Sequence, residues 1–159
     1  MDANLRLYWV GAPPADVPSG IAAAALTADT PAWRVDALYC TGTIDAALER
    51  KAAQLTGYGR ETFGPEDDLA TLLQRGRSTN YQPIDCNYYD YFEAAIVQRR
   101  AVALAYRTVA GPVTEPAVRL RDLRTVRTEE FVQLAGGRWL RLDQVISLDG
   151  RPAGGACFT

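Results

Sequence analysis

Histidine is missing altogether from the 159 residues of this chain. That removes the commonest general base and the commonest metal ligand together, and with them any Ser-His-Asp or Cys-His catalytic arrangement within one chain. Lysine is almost missing too, with Lys51 the only one, so the positive charge is carried by arginine. Cysteine is sparse: Cys40, Cys86 and Cys157 are widely spaced and form no CxxC pair. The spacing predicts neither a disulfide framework nor a zinc site. No apolar run approaches the ~18 residues of a membrane span. The first residues lack the basic start and apolar stretch of a signal peptide, so a cytoplasmic protein is expected. No P-loop and no GxGxxG motif is present, and no metal or cofactor is expected.

What is present is the composition of a soluble globular protein: 48% hydrophobic, 23% charged, with a formal net charge of −2. The charges are unevenly distributed. Arginines recur through 99–141, at Arg99, Arg100, Arg107, Arg119, Arg121, Arg124, Arg127, Arg138 and Arg141, and make that stretch locally basic.

The first half alternates strand-like and helix-like segments. Leu5 to Val10 is short, apolar and aromatic, and it ends at Gly11 before a proline-rich turn, as a strand would. Ser19 is placed to cap a helix over Ile21 to Ala28. Trp33 to Cys40 reads as a second strand, and Ile44 to Leu55 as a helix, with Ile44, Ala47, Leu48, Ala52 and Leu55 at helical spacing. Glu61-Thr62-Phe63 reads as a third strand. Pro65 followed by Glu66, Asp67 and Asp68 reads as a helix N-terminus, where acids complement the dipole. The pattern predicts a small β-α-β-α-β-α layer with a parallel sheet over residues 1–76, and an α+β chain overall. Residues 77–80 follow as a polar, turn-rich linker.

Residues 81–159 follow a different pattern. Asp85 to Gln98 predicts a helix, with Tyr89, Phe92, Ala95 and Ile96 on its apolar face. Short alternating segments follow: Ala101 to Thr108, Thr114 to Leu123, Thr125 to Leu134, Arg138 to Leu142, and Val145 to Leu148. Turn signals stand at Ala110-Gly111-Pro112 and Ala135-Gly136-Gly137. One helix and then five strands is the order of a small SH3-like or Sm-like barrel.

The richest segment is Tyr81-Gln82-Pro83-Ile84-Asp85-Cys86-Asn87-Tyr88-Tyr89-Asp90-Tyr91-Phe92-Glu93, which gathers aromatics and acids around one helix start. Tyr81-Gln82-Pro83-Ile84-Asp85-Cys86, with Tyr89-Asp90 and Glu93, resembles the opening motif of the Rho-off (Rof-like) antiterminators. Arg138-Trp139-Leu140-Arg141-Leu142-Asp143-Gln144-Val145-Ile146-Ser147 is similar to the final strands of that family. The resemblance covers about 70 residues and none of residues 1–78. It implies a non-enzymatic module that binds transcription termination factor Rho and blocks its RNA-binding site. It also implies a contact surface in which Asp85, Asp90 and Glu93 face cationic residues of Rho, Tyr88 or Tyr91 replaces RNA bases, and Tyr89 packs inward.

Two other readings remain open. The arginine-rich strands fit direct RNA binding, since small barrels bind single strands through basic grooves with aromatic platforms. In the first half, Gly11-Ala12-Pro13 and Cys40-Thr41-Gly42-Thr43 would lie beyond the carboxyl ends of parallel strands, where open α/β sheets bind ligands, with Cys40 as a candidate nucleophile.

Overall fold

The structure is a computed structural model that describes residues 4–153. The chain divides between Asn80 and Tyr81 into two compact units. It mixes helices with one parallel and one antiparallel sheet. No helix among the described residues is long and apolar enough to cross a membrane.

The first unit is built on four parallel strands: β1 (Leu5–Val10), β2 (Ile21–Ala25), β3 (Ala37–Cys40) and β4 (Glu61–Phe63), in the order β2-β1-β3-β4. The connection from β3 to β4 carries α1 (Ala46–Gly57), whose N-terminus is capped by Asp45 accepting from the Leu48 N–H at 2.9 Å. After β4 comes α2 (Ala70–Arg75). Leu7, Ile21, Ala37, Tyr39, Phe63, Leu69 and Leu72 form one core cluster of this unit.

Three expectations fail here, the first being the strand expected over Trp33 to Cys40, which begins only at Ala37 after a 3-10 turn over Ala32–Arg34. The helix expected over Ile21 to Ala28 is an edge strand, paired with β1 from Leu5↔Ile21 to Trp9↔Ala25. Alanine favours helices by only about 0.5–1 kcal/mol per residue over most alternatives, and a continuous ladder outweighs that margin. Gly20, at φ +96°, turns the chain into the ladder, and the Leu5 N–H donates to its carbonyl at 3.0 Å. The helix expected from Pro65 begins only at Ala70. The carboxylates of Asp67 and Asp68 accept from the N–H groups of Gly64 and Ala70, at 2.6 and 3.0 Å, and so shape a turn before it.

Residues 77–80 are fastened to this unit. Arg77, nearly buried, donates to Asp36 Oδ1 at 2.9 Å and to the Trp33 carbonyl at 2.7 Å. Asn80 Nδ2 donates to the Gly57 carbonyl at 2.9 Å.

The second unit opens with α3 (Cys86–Gln98). Asp85 is its N-cap, accepting from the N–H groups of Asn87 at 2.7 Å and Tyr88 at 3.3 Å. Arg99, in the left-handed region at φ 54°, ends it. Six antiparallel strands follow: β5 (Ala101–Thr108), β6 (Gly111–Val126), β7 (Glu129–Leu134), β8 (Trp139–Arg141), β9 (Val145–Leu148) and β10 (Arg151–Pro152), in the order β10-β9-β5-β6-β7-β8. Among the described residues there are six where five are expected from the sequence, the additional one being the short β10. The long β6 pairs with β5 up to Arg119 and with β7 from Leu120 onward. Register shifts at Val102/Leu104 and Leu120/Asp122 locally disrupt the two ladders.

The core of this unit gathers Tyr88, Phe92 and Ala95 of α3 with Val102, Leu104, Tyr106, Val118, Leu120, Val132, Leu134, Leu140, Leu142, Val145 and Leu148. Beside it stands a buried ionic cluster. The Arg141 guanidinium, 1% exposed, reaches Asp143 Oδ1 at 2.7 Å and Glu129 Oε2 at 3.2 Å. The Gln82 N–H donates to Asp143 at 3.2 Å, and the Arg141 guanidinium lies 5.5 Å from the Tyr81 ring centroid. This cluster holds the segment that leads into α3.

One cysteine expectation is also corrected. Cys86 is disulfide-bonded and Cys40 is a free thiol, while Cys157 lies outside the described residues. Spacing along a chain does not report proximity in space, and the bond removes one support for the cytoplasmic expectation.

Candidate functional site

The phase of α3 decides which of its side chains meet solvent. With Asp85 as N-cap, Tyr88, Phe92 and Ala95 stand at i, i+4 and i+7 and are buried. Asn87, Asp90, Tyr91, Glu93 and Val97 are exposed. Asp90, Glu93 and Val97, at i, i+3 and i+7, line one outward stripe. Neither Asp90 nor Glu93 is hydrogen-bonded or ion-paired among the described residues. Val97 is 80% exposed, the highest value among the exposed large apolar side chains. The helix therefore offers two free carboxylates and an apolar side chain along one line.

The five residues expected at a contact surface fall into three groups. Asp90 and Glu93 lie on the open stripe. Tyr91 lies beside it, with the Arg151 guanidinium 4.3 Å from its ring centroid and Arg151 Nη1 donating to its hydroxyl at 2.8 Å. Asp85 is half-buried and occupied with capping the helix. Tyr88 is a correction: it is 5% exposed, packs edge-on against Phe92 at 5.5 Å, and donates its hydroxyl to the Arg151 carbonyl at 3.0 Å. Burial pushes its phenol up to about 12. Tyr89, expected inward, is half-buried at the edge of the core. A rotation of the helix by one position, set by the cap, exchanges the places of the two tyrosines.

Val97 and Arg151 were not singled out from the sequence. Val97 is an apolar residue off the Phe92-Ala95 stripe, which is a legible signal. Arg151 carries none, because its position depends on the β9–β10 hairpin.

One exposed arginine of this unit is set apart from the α3 acids. Val118 and Leu120 of β6 point into the core that α3 covers. Side chains alternate along a strand, so Arg119 projects from the opposite face. Arg119 thus lies off the α3 face, whereas Arg151 stands beside the acidic stripe at Tyr91 and Arg99 ends the same helix.

In the first unit, β1 and β3 both end at loops on the carboxyl side of the sheet. The Ala12 N–H donates to Thr41 Oγ1 at 2.8 Å, and the Thr41 N–H to the Val10 carbonyl at 3.1 Å. These bonds bring the two loops together. A cavity of about 480 Å³ opens on the carboxyl side, lined by Asp16, Val17, Tyr39, Asp67, Asp68 and Leu69 among others. Cys40 is not among the lining residues, and burial raises its thiol pKa, away from the reactive thiolate. Among the described residues no cluster of three His, Cys, Asp or Glu side chains is placed to hold a metal ion.

Compared with known proteins, the chain matches no protein-family model. No curated protein matches it in sequence at a significant level.

Proposed function

We propose that the second unit is a Rof-like docking module whose α3 face enters the cationic RNA-binding groove of transcription termination factor Rho and keeps RNA out, reducing Rho-dependent termination. The observation that carries this reading is the outward stripe of Asp90 and Glu93, both exposed and unpaired among the described residues, beside Tyr91 and ending at Val97. Two free carboxylates on a rigid helix match the charge of a groove built to hold phosphates, and the neighbouring phenol ring and isopropyl group supply apolar contact. The order of one helix and then antiparallel strands, with a long β6 shared between two partners, fits the Sm-like barrel that the resemblance implies.

The module works by occupancy, with no bond made or broken. Asp90 and Glu93 take the place of backbone phosphates, and Tyr91 that of a base. Asp85 acts indirectly, by setting the phase that turns these side chains outward.

The test is fluorescence anisotropy of the full chain titrated with Rho, in the presence and absence of a single-stranded RNA. The expected result is mutual exclusion, with the double variant Asp90→Lys, Glu93→Lys losing about 2–5 kcal/mol of binding if both acids are desolvated in the contact. Undiminished affinity of that variant, or a complex that accepts RNA without displacement, contradicts the proposal.

A further inference from the structure

The cavity on the carboxyl side of the parallel sheet has no part in the docking reading, and its lining has a chemistry of its own. Tyr39 of β3 is 7% exposed and belongs to the core cluster of the first unit, yet its side chain also lines the cavity. Buried phenols normally pair their hydroxyl, as Tyr88 does with the Arg151 carbonyl and Tyr106 with Glu115. The Tyr39 hydroxyl makes no hydrogen bond among the described residues, and its oxygen is not one of the unsatisfied polar atoms sealed inside them. It therefore opens into the cavity, where it can donate or accept. Tyr8, also without a hydrogen bond among the described residues, pairs with Leu38, so it points to the opposite face of the sheet and does not line this cavity.

The walls around Tyr39 divide by chemistry. Val17, Pro18, Pro65 and Leu69 give an apolar lining, and the prolines stiffen the loops after β1 and β4 that form it. The same two loops supply the carboxylates of Asp16, Asp67 and Asp68. All of these acids are exposed, and none is ion-paired among the described residues. Asp67 and Asp68 each give one oxygen to a backbone N–H, those of Gly64 and Ala70, which leaves the other oxygen open. Asp16 makes no hydrogen bond among the described residues. No arginine or lysine lines the cavity, so its charge is of one sign.

Exposed acids alone are ordinary on this chain. Here they stand at a cavity of about 480 Å³ whose floor is a buried phenol without a partner among the described residues. Open parallel sheets bind ligands beyond the carboxyl ends of their strands, and this volume falls within the range of small-molecule sites. Carboxylates, an apolar wall and a phenol oxygen are complementary to a short hydrocarbon chain with an ammonium group at each end.

We infer that this cavity binds an aliphatic diamine, with one ammonium among Asp16, Asp67 and Asp68 and the other donating to the Tyr39 hydroxyl oxygen. The site lies wholly in the first unit and does not rest on the Rho reading. A lysine side chain of a partner protein offers the same group only once, so the experiment separates the two.

The full chain is titrated with cadaverine by isothermal calorimetry, with pentylamine and pentanoate as controls of the same chain length. Saturable binding of cadaverine is expected, with pentylamine weaker and pentanoate giving no heat. This comparison needs no variant. Tyr39→Phe removes only the hydroxyl and should weaken cadaverine about tenfold, in line with the loss of a hydrogen bond to a charged group. The double variant Asp16→Asn, Asp67→Asn keeps an amide oxygen for the Gly64 N–H and should weaken it about fivefold, as the loss of two exposed ion pairs would. Circular dichroism and a thermal melt matching the unmodified chain show that each variant is folded. Absence of saturable binding, pentylamine or pentanoate binding as tightly as cadaverine, or undiminished affinity in either folded variant each overturns the inference.

Discussion

The two units bury arginine against different partners. In the first, backbone carbonyls take most of the bonds: Arg60, 2% exposed, donates to the carbonyls of Val35 and Ala32 at 2.7 and 3.3 Å, and Arg77 is held by Asp36 and the Trp33 carbonyl, while Arg6 and Arg50 are exposed without side-chain partners among the described residues. In the second, Arg141 is buried against the carboxylates of Glu129 and Asp143, but Arg99, Arg119 and Arg121 stand in solvent without side-chain partners among the described residues. A guanidinium that satisfies carbonyls holds loops in place, and one left exposed on a strand face is available to a partner. The same residue type holds structure in one setting and is solvated in the other, and only its surroundings distinguish the two.

The comparison is tested first by removing a buried guanidinium from each unit. Arg141→Ala leaves Glu129 and Asp143 facing each other in a buried site and should cost about 3–5 kcal/mol of the second unit's stability. Arg77→Ala should cost somewhat less in the first unit, because Asp36 keeps the bond that the Arg6 N–H donates at 2.7 Å. Urea unfolding followed by hydrogen exchange, read separately over residues 4–80 and 81–153, assigns each loss to its unit. A loss of similar size at Arg119→Ala would erase the distinction, since an exposed arginine without a partner should change stability by less than about 0.5 kcal/mol.

Phe92→Ala empties a fully buried position of the second core and should also cost about 3–5 kcal/mol. Asp85→Ala removes the cap of α3 and should cost about 1 kcal/mol. If the cap also sets the phase of the stripe, this variant should weaken Rho binding more than its stability loss explains.

The smallest expected effect is pH-dependent. Asp149 accepts from Arg100 Nη1 at 2.6 Å and from the Ala103 N–H at 2.9 Å, and these bonds hold its carboxyl below the usual carboxylate range. A depressed folded pKa contributes stability that is present above about pH 4, the unfolded value, and is lost as pH falls through the lower folded one. The pair is well exposed, so Asp149→Asn should cost below about 1 kcal/mol at neutral pH. The difference from the unmodified chain should vanish in acid, as urea midpoints across pH 2–7 would show.

Much of the second unit was legible in its residues, and less of the first. β5 and β9 match their expected bounds because strict alternation around Val102, Leu104 and Tyr106 admits few other readings. α3 was equally plain. The Asp149-Gly150 pair, with φ 51° and 79°, is a hairpin signal, and it is the residue pair that turns β9 into β10 and places Arg151. In the first unit, Ile21 to Ala25 misled because alanine carries no strand signal of its own, and only its pairing with β1 makes it one. At the site, Asp90 and Glu93 follow from their spacing. Tyr88 and Tyr89 do not, since adjacent tyrosines can be ordered only once the cap at Asp85 sets the rotation of the helix.

The proposed contact between Rho and the α3 stripe is open to direct measurement. Side-chain NMR of the full chain, recorded during titration with Rho, reports that surface without a variant. The predicted outcome is broadening or shifting at Asp90, Glu93 and Val97, with Arg119 and Arg121 unmoved. Perturbation confined to the two arginines, with the α3 stripe silent, would contradict it.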